Sequence, residues 1–354
     1  MRYREGWEET AEHWAALWRG EALDRPCLCV TAPRPAGAPG PPAPRTPEEQ
    51  WLDPAWVMAN LRAHLANTAW LGEAIPSYLL QGGWVACYGA TPRFSFATIW
   101  HDPIAVDWDA PPEFAPATAA PWVARLETLY RAVLAEAGWD GFLVGRPCLL
   151  PGNDLLAGIL GPEPFLTSLY DRPAWMREAI LTLARNQVAL LRHFAAIAGA
   201  VHAFPYGNAG WMPFWVPEEY ISTQSDVSCM LAPEMYDEFI LPELDLLGRE
   251  FGAVWYHLDG HHAGQHLPRL CSLPYLRVIQ YTPAPDEPPN GPEHLPLYRT
   301  IQRAGKIVHI QLPAQHVEPL VRALDPALLV LDTWAETPAD AEALLADAVR
   351  WTRG

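Results

Sequence analysis

The stretch Val254-Trp255-Tyr256-His257-Leu258-Asp259-Gly260 delivers two polar side chains at the end of an apolar run. Alternation along a strand puts His257 and Asp259 on one face. An imidazole and a carboxylate so placed can share a metal ion, exchange a proton, or simply satisfy each other at a strand terminus. Polar residues followed by Gly at the end of an apolar strand are also what the catalytic end of a barrel strand looks like. His-x-Asp is a short motif and does not decide among these alone.

Other residues offer chemistry of the same kind. Asp226 precedes the helix opened by Pro233, where it can orient or deprotonate a substrate or cap backbone. His309 shares a strand face with Gln311, and Asp332 and Thr333 end the last apolar run, Leu328 to Leu331. His309 is either a group near a pocket mouth or a satisfied core histidine. His261 and His262 are adjacent, so at most one can point to a given site. Trp211, Phe214 and Trp215 form an aromatic cluster suited to a large flat ligand, a lid or a partner contact.

The elements that would position these residues alternate along the chain. Residues 1–20 read as an N-terminal helix, with Trp7, Trp14, Leu17 and Trp18 at helical spacing before Gly20. Residues 33–47 are Pro-rich and read as an extended loop, a lid or a surface excursion. Helices are expected over Asp53–Leu71, Ala119–Ala137, Pro173–Ala200, Ala232–Gly248 and Asp340–Trp351. Short apolar strands are expected near Cys27, Tyr78, Phe142, Val201, Val254, Arg277, Ile307 and Leu328. Asp226–Cys229 reads as strand or loop. Eight strands alternating with helices imply a parallel sheet with helices outside. No glycine-rich turn follows the first strand, which disfavours a dinucleotide-binding sheet. The expected fold is α/β, a (β/α)8 TIM barrel, with residues 1–354 as a single domain and an N-terminal helical extension.

Composition narrows the partners. A formal charge of −17 repels nucleic acid and anionic lipid. No apolar run reaches the roughly 18 residues of a membrane span, and the first residues lack the apolar core of a signal peptide. A cytoplasmic location is therefore expected. The six cysteines show neither CxxC nor zinc-finger spacing, and Cys27 and Cys29 lie in a strand-like run.

Longer motifs carry a family resemblance. The segment Gln224–Glu243, with Asp226, then Ala232-Pro233-Glu234, Tyr236, Glu238-Phe239 and Pro242, resembles a segment of the uroporphyrinogen decarboxylase superfamily. Tyr256-His257-Leu258-Asp259-Gly260 is similar to that family's His-x-Cys-Gly signature. Asp24-Arg25-Pro26 resembles its entry to the barrel, and Gly161-Pro162-Glu163 with Tyr170-Asp171-Arg172-Pro173 its mid-chain helices. The resemblance spans most of the chain.

The superfamily holds two chemistries: metal-free decarboxylation of a porphyrinogen, and zinc-dependent methyl transfer between corrinoid proteins and thiols. In the methyltransferases the His-x-Cys pair and a C-terminal Cys bind zinc. Carried over, His257 keeps the His position, Asp259 replaces the first Cys, and the C-terminal strand offers Asp332. Carboxylates in place of soft thiolates weaken a thiolate-type zinc site without abolishing metal binding. Loss of the metal, with direct hydrogen bonding to substrate, is the competing outcome. The decarboxylase's polycarboxylate substrate needs an Arg-rich pocket, whereas only Arg34, Arg93 and Arg146 fall near strand ends here.

The resemblance thus implies a metal-assisted methyltransferase acting on a small methylated or thiol substrate. His257, Asp259 and Asp332 would hold a divalent metal, zinc first; Asp226, Asp259 and His309 would be catalytic. Trp211 and Trp215 would hold the larger cofactor, a corrinoid carried by a separate partner protein. Two other classes fit the residues: a carboxylate glycosidase built on Asp226 and Asp259, and a barrel that only binds a ligand.

Overall fold

The computed structural model describes residues 1–35, 37–203 and 211–353. Eleven strands are present among these: β1 (Cys27–Pro33), β2 (Thr68–Gly72), β3 (Ser77–Tyr78), β4 (Pro92–Phe94), β5 (Ile99–His101) and β6 (Leu143–Val144). The remainder are β7 (Ile221–Thr223), β8 (Val254–Asp259), β9 (Leu276–Thr282), β10 (Ile307–Gln311) and β11 (Leu329–Trp334). Seven form one sheet in the order β2-β1-β11-β10-β9-β8-β7. β2 runs antiparallel to β1, and the remaining neighbours are parallel. β3 pairs with β6 in parallel, and β4 with β5 as a hairpin.

Alternation along the parallel strands feeds two cores, as expected of strands buried on both faces. Trp255, Val278, Ile307, Val330 and Cys27 point to one, where Leu143 of β6 and Ile75 join them. Tyr256, Leu258, Ile279, Val308, Ile310 and Leu331 point to the other, under the helices. The first helix, Trp7–Trp18, covers the N-terminal ends of the strands. Trp14 and Trp18 enter the first core, and the Arg277 guanidinium lies 4.2 Å over the Trp18 ring.

The structure is a mixed α/β fold with a parallel sheet, and it departs from the expected elements in three places. The helix expected over Asp53–Leu71 ends at Asn67. Thr68–Gly72 instead pairs along β1 and occupies the edge that β3 would take in a simple ring. The strand expected at Val201 is not one: residues 201–203 form a turn after the helix Pro173–Gly199, while Phe204 lies outside the described residues. His202 supplies the reason. Its Nδ1–H donates to the Gly138 carbonyl at 3.0 Å and its Nε2 accepts the Val144 amide of β6 at 3.1 Å, so a side chain satisfies that edge. The strand in that place of the order is β7. Finally, Asp226–Met230 is a 3₁₀ turn.

Of the Pro-rich stretch, residues 37–46 run over the helix Pro54–Asn67, tied by Trp56 Nε1 to the Pro42 carbonyl at 3.0 Å and by Asn67 to Ala38 at 2.9 Å. No described helix is long and apolar enough to cross a membrane.

Candidate functional site

One face of the sheet changes character toward the C-terminal ends of its strands. Trp255, Val278 and Ile307 form an apolar row across β8, β9 and β10. Two residues further on, the same positions are His257, Gln280 and His309. The row beyond holds Asp259 beside Thr282, and Gln311 beside Asp332 and Cys29. Because side chains two apart share a face, a polar mouth sits directly on an apolar core. In parallel α/β proteins that end of the sheet is where ligands bind.

Asp226 joins this mouth from the turn that follows β7. One ligand atom each from Asp226, His257 and Asp259 lies within 4.8 Å of the other two. His257 is largely buried, with 11% of its side chain exposed, whereas both carboxylates reach solvent. Gln280 fixes the imidazole: its Oε1 accepts from His257 Nδ1, and its amide donates to Thr282 Oγ1 at 3.1 Å. With Nδ1 engaged by Gln280, Nε2 faces Asp259 Oδ1 across 4.0 Å. That gap is too wide for a hydrogen bond. Two ligands of one tetrahedral zinc stand about 3.3–3.5 Å apart, given bonds of roughly 2.0–2.2 Å, so small rotations of exposed carboxylates would close the set. One imidazole and two carboxylates suit a divalent ion of intermediate hardness. The arrangement can hold a metal.

A buried carboxyl supports this turn from below. Asp154 accepts the Asp226 and Val227 amides at 3.1 and 3.3 Å. Burial pushes Asp154 up to about 8, with Asp226 adding to the shift. Glu243, also buried and raised by burial, accepts from the Gly152 and Asn153 amides and from Asn153 Nδ2 at 2.9 Å. Ser225 Oγ bonds Asn153 Oδ1 at 2.9 Å, which links the two supports. Enclosure raises the Asp226 carboxyl too; His257 opposes the shift and Asp259 adds to it.

Asp332 stands in a different arrangement from the three clustered ligands. His309 Nε2 donates to Asp332 Oδ2 at 2.5 Å, and Trp255 Nε1 donates to His309 Nδ1 at 3.0 Å. His309 is fully buried with both ring nitrogens engaged, so only its partner Asp332 lies at the mouth.

The aromatic cluster divides. Trp211 meets the His257 ring edge-on at 5.1 Å, Phe214 packs on Trp14 at 4.9 Å inside the first core, and Trp215 packs on Trp7 of the first helix at 5.2 Å. His261 turns to Glu287, 3.2 Å from its Nδ1, and its ring lies tilted against that of His262, 3.9 Å between centroids. Arg93 pairs with Asp102 at the surface and Arg146 with Glu219; Arg34 bonds the Thr68 carbonyl.

Gln280, Asp154 and Trp255 were not singled out in the sequence. Gln280 carries a usable signal, since a lone Gln in an apolar strand needs a buried partner. Asp154 carries no such signal: it lies in the first turn of the helix Gly152–Leu160 and accepts from amides 72 and 73 residues away.

With this geometry in place, comparison with known proteins adds a fold. No protein-family model and no curated protein matches the chain. Among solved structures, a methyltransferase from Methanosarcina mazei superposes over 98% of this chain and 99% of its own, with a TM-score of 0.58 at 13% identity. The likeness is one of fold.

Proposed function

We propose that this chain is a metal-assisted methyltransferase of the uroporphyrinogen decarboxylase superfamily. In this reading residues 1–354 form a single domain, and the β3–β6 pair completes an eight-stranded barrel with the six parallel strands. The observation that carries the reading is the cluster of Asp226, His257 and Asp259 at the strand ends, with the His257 ring held through Nδ1 by Gln280. The full-length likeness to a methyltransferase fold agrees with it.

Asp226, His257 and Asp259 hold the ion, with zinc the first choice; Asp332 belongs to the adjoining substrate wall. A bound divalent ion supplies Lewis acidity that favours the ionised form of a thiol. The chain's own residues do the rest. Gln280 keeps the His257 Nε2 lone pair aimed at the site, Asp154 holds the turn that presents Asp226, and Trp211 shields the imidazole from water. A methyl carrier is needed only where the donor is not itself a small methylated substrate, and a separate corrinoid protein would then fill that part.

The test is elemental analysis of the wild type beside Asp226→Ala, His257→Ala and Asp259→Ala after loading with zinc. About one equivalent in the wild type, lost from each variant, is expected. Methyl transfer to thiols is then assayed with corrinoid donors. A wild type that retains no transition metal overturns the reading.

One observation favours a second reading. Two carboxylates with ligand atoms within 4.8 Å, one of them raised in proton affinity, approach the spacing of about 5–5.5 Å used by retaining glycosidases. Turnover of aryl glycosides by metal-stripped protein would support it.

A further inference from the structure

A cavity of about 430 Å³ opens at the same strand ends, bounded by β1, β2, β11 and the segment after Gly210. Three indoles line it, those of Trp70, Trp211 and Trp334, together with Asp332 and Gln311. Trp211 is shared with the metal cluster through its contact with His257.

The charge of this cavity follows from hydrogen bonding. An indole N–H can only donate, so the His309 nitrogen facing Trp255 carries a lone pair. The one ring proton is then on Nε2, where it is donated to Asp332. His309 is neutral and leaves the charge of the Asp332 carboxylate uncompensated. Burial pushes the neighbouring Cys29 thiol up, so it adds no charge. No Lys or Arg lines the cavity. Arg4 does not line it: the guanidinium bonds the Trp70 carbonyl at 2.8 Å, Thr10 and the Gly72 carbonyl, and its charge is met first by Glu73. The undescribed residues Ala36 and 204–210 carry no charged side chain in the sequence.

A single unbalanced carboxylate among three indoles is a poor host for an anion and a good one for a soft cation, which gains from both the charge and the ring faces. We propose that this cavity binds a small organic cation bearing methyl groups on nitrogen, a methylated ammonium. Binding stands on the cavity alone. Its role as methyl donor rests on the methyltransferase reading. There the C–N bond breaks, nitrogen keeps the electron pair and leaves as a neutral amine. The methyl group bonds to the sulfur of a thiolate, and the proton that the thiol gave up ends on the released amine.

Calorimetric titration of metal-stripped and zinc-loaded protein tests this with choline against its neutral isostere 3,3-dimethylbutan-1-ol. Choline is expected to bind at least tenfold more tightly in both forms. Asp332→Asn should erase most of that preference. Trp334→Ala, at a side chain 51% exposed and safe for folding, should weaken choline several-fold. Equal affinity for the two probes, or tighter binding of propanesulfonate than of choline, overturns the proposal. Choline binding without zinc uptake or methyl transfer would sustain the cavity and sink the methyltransferase reading instead.

Discussion

Gln280 Oε1 accepts the Nδ1–H of His257, and the two residues are direct partners across β8 and β9. The other end of the same carboxamide is held as well, its amide donating to Thr282 Oγ1 at 3.1 Å. Gln280→Leu removes the acceptor and frees the imidazole to rotate or change tautomer. Loss of such an outer partner typically lowers metal affinity roughly 10–100-fold. Competition for zinc against a chromogenic chelator measures this. Gln280→Glu, which keeps the acceptor, should retain most of the affinity, and an unchanged Gln280→Leu would remove Gln280 from the site.

The Trp255–His309–Asp332 chain makes a stability prediction separate from the metal. Trp255 is 1% exposed and its N–H satisfies a fully buried nitrogen. Trp255→Phe orphans His309 Nδ1 and leaves a small void, at a cost of roughly 2–4 kcal/mol. Denaturant unfolding reads the loss directly. His309→Leu should cost less in the Trp255→Phe background than in the wild type, because the orphaned nitrogen disappears with it. Additive costs would show that the two side chains are energetically independent.

How far the sequence foretold this site depends on the range of each contact. His257 and Asp259 share a face through local alternation, and Asp226 was flagged by its segment; both signals need only neighbouring residues. Gln280 and Trp255 act through partners 23 and 54 residues away, and their roles exist only once β8, β9 and β10 are in register. The strands tell the same story. β8 to β11 are apolar runs of five to seven residues and were legible. β3 and β6, two residues each, fall at the strands expected near Tyr78 and Phe142, whereas β7, three residues, is too short for a period to show. Val201 misled because an apolar residue after a long helix looks like a strand start. His202 instead closes the β6 edge with its side chain.

Asp154 gives the pH dependence. Burial raises its carboxyl to about 8 in the native state, against about 4 for an unfolded aspartate. Between those values the native protein binds more protons than the unfolded chain, so stability falls as pH rises through the window. Thermal midpoints recorded across it, with chelator present, should decline for the wild type. Asp154→Asn should flatten part of that decline, the remainder coming from Glu243, which burial also raises. Identical profiles for the two proteins would mean that Asp154 ionises normally.

Gly260 sets the exit of β8 immediately after Asp259. Its φ of +68° is left-handed, and an added Cβ would sit 2.9 Å from the Ala284 Cβ. An L-residue there costs about 1–2 kcal/mol in backbone strain before any contact, and the contact must then be relieved by moving the backbone that carries Asp259. Gly305 is the control: its φ of +71° is similar, but nothing lies within 4 Å of its added Cβ. Both Gly260→Ala and Gly305→Ala should therefore lower the unfolding free energy. Only Gly260→Ala should also weaken zinc binding, by roughly tenfold or more if Asp259 is a ligand. Equal zinc affinity in the two variants would show that Asp259 tolerates displacement. The metal would then rest on His257 and Asp226, and an Asp259→Asn variant with intact affinity would complete that case.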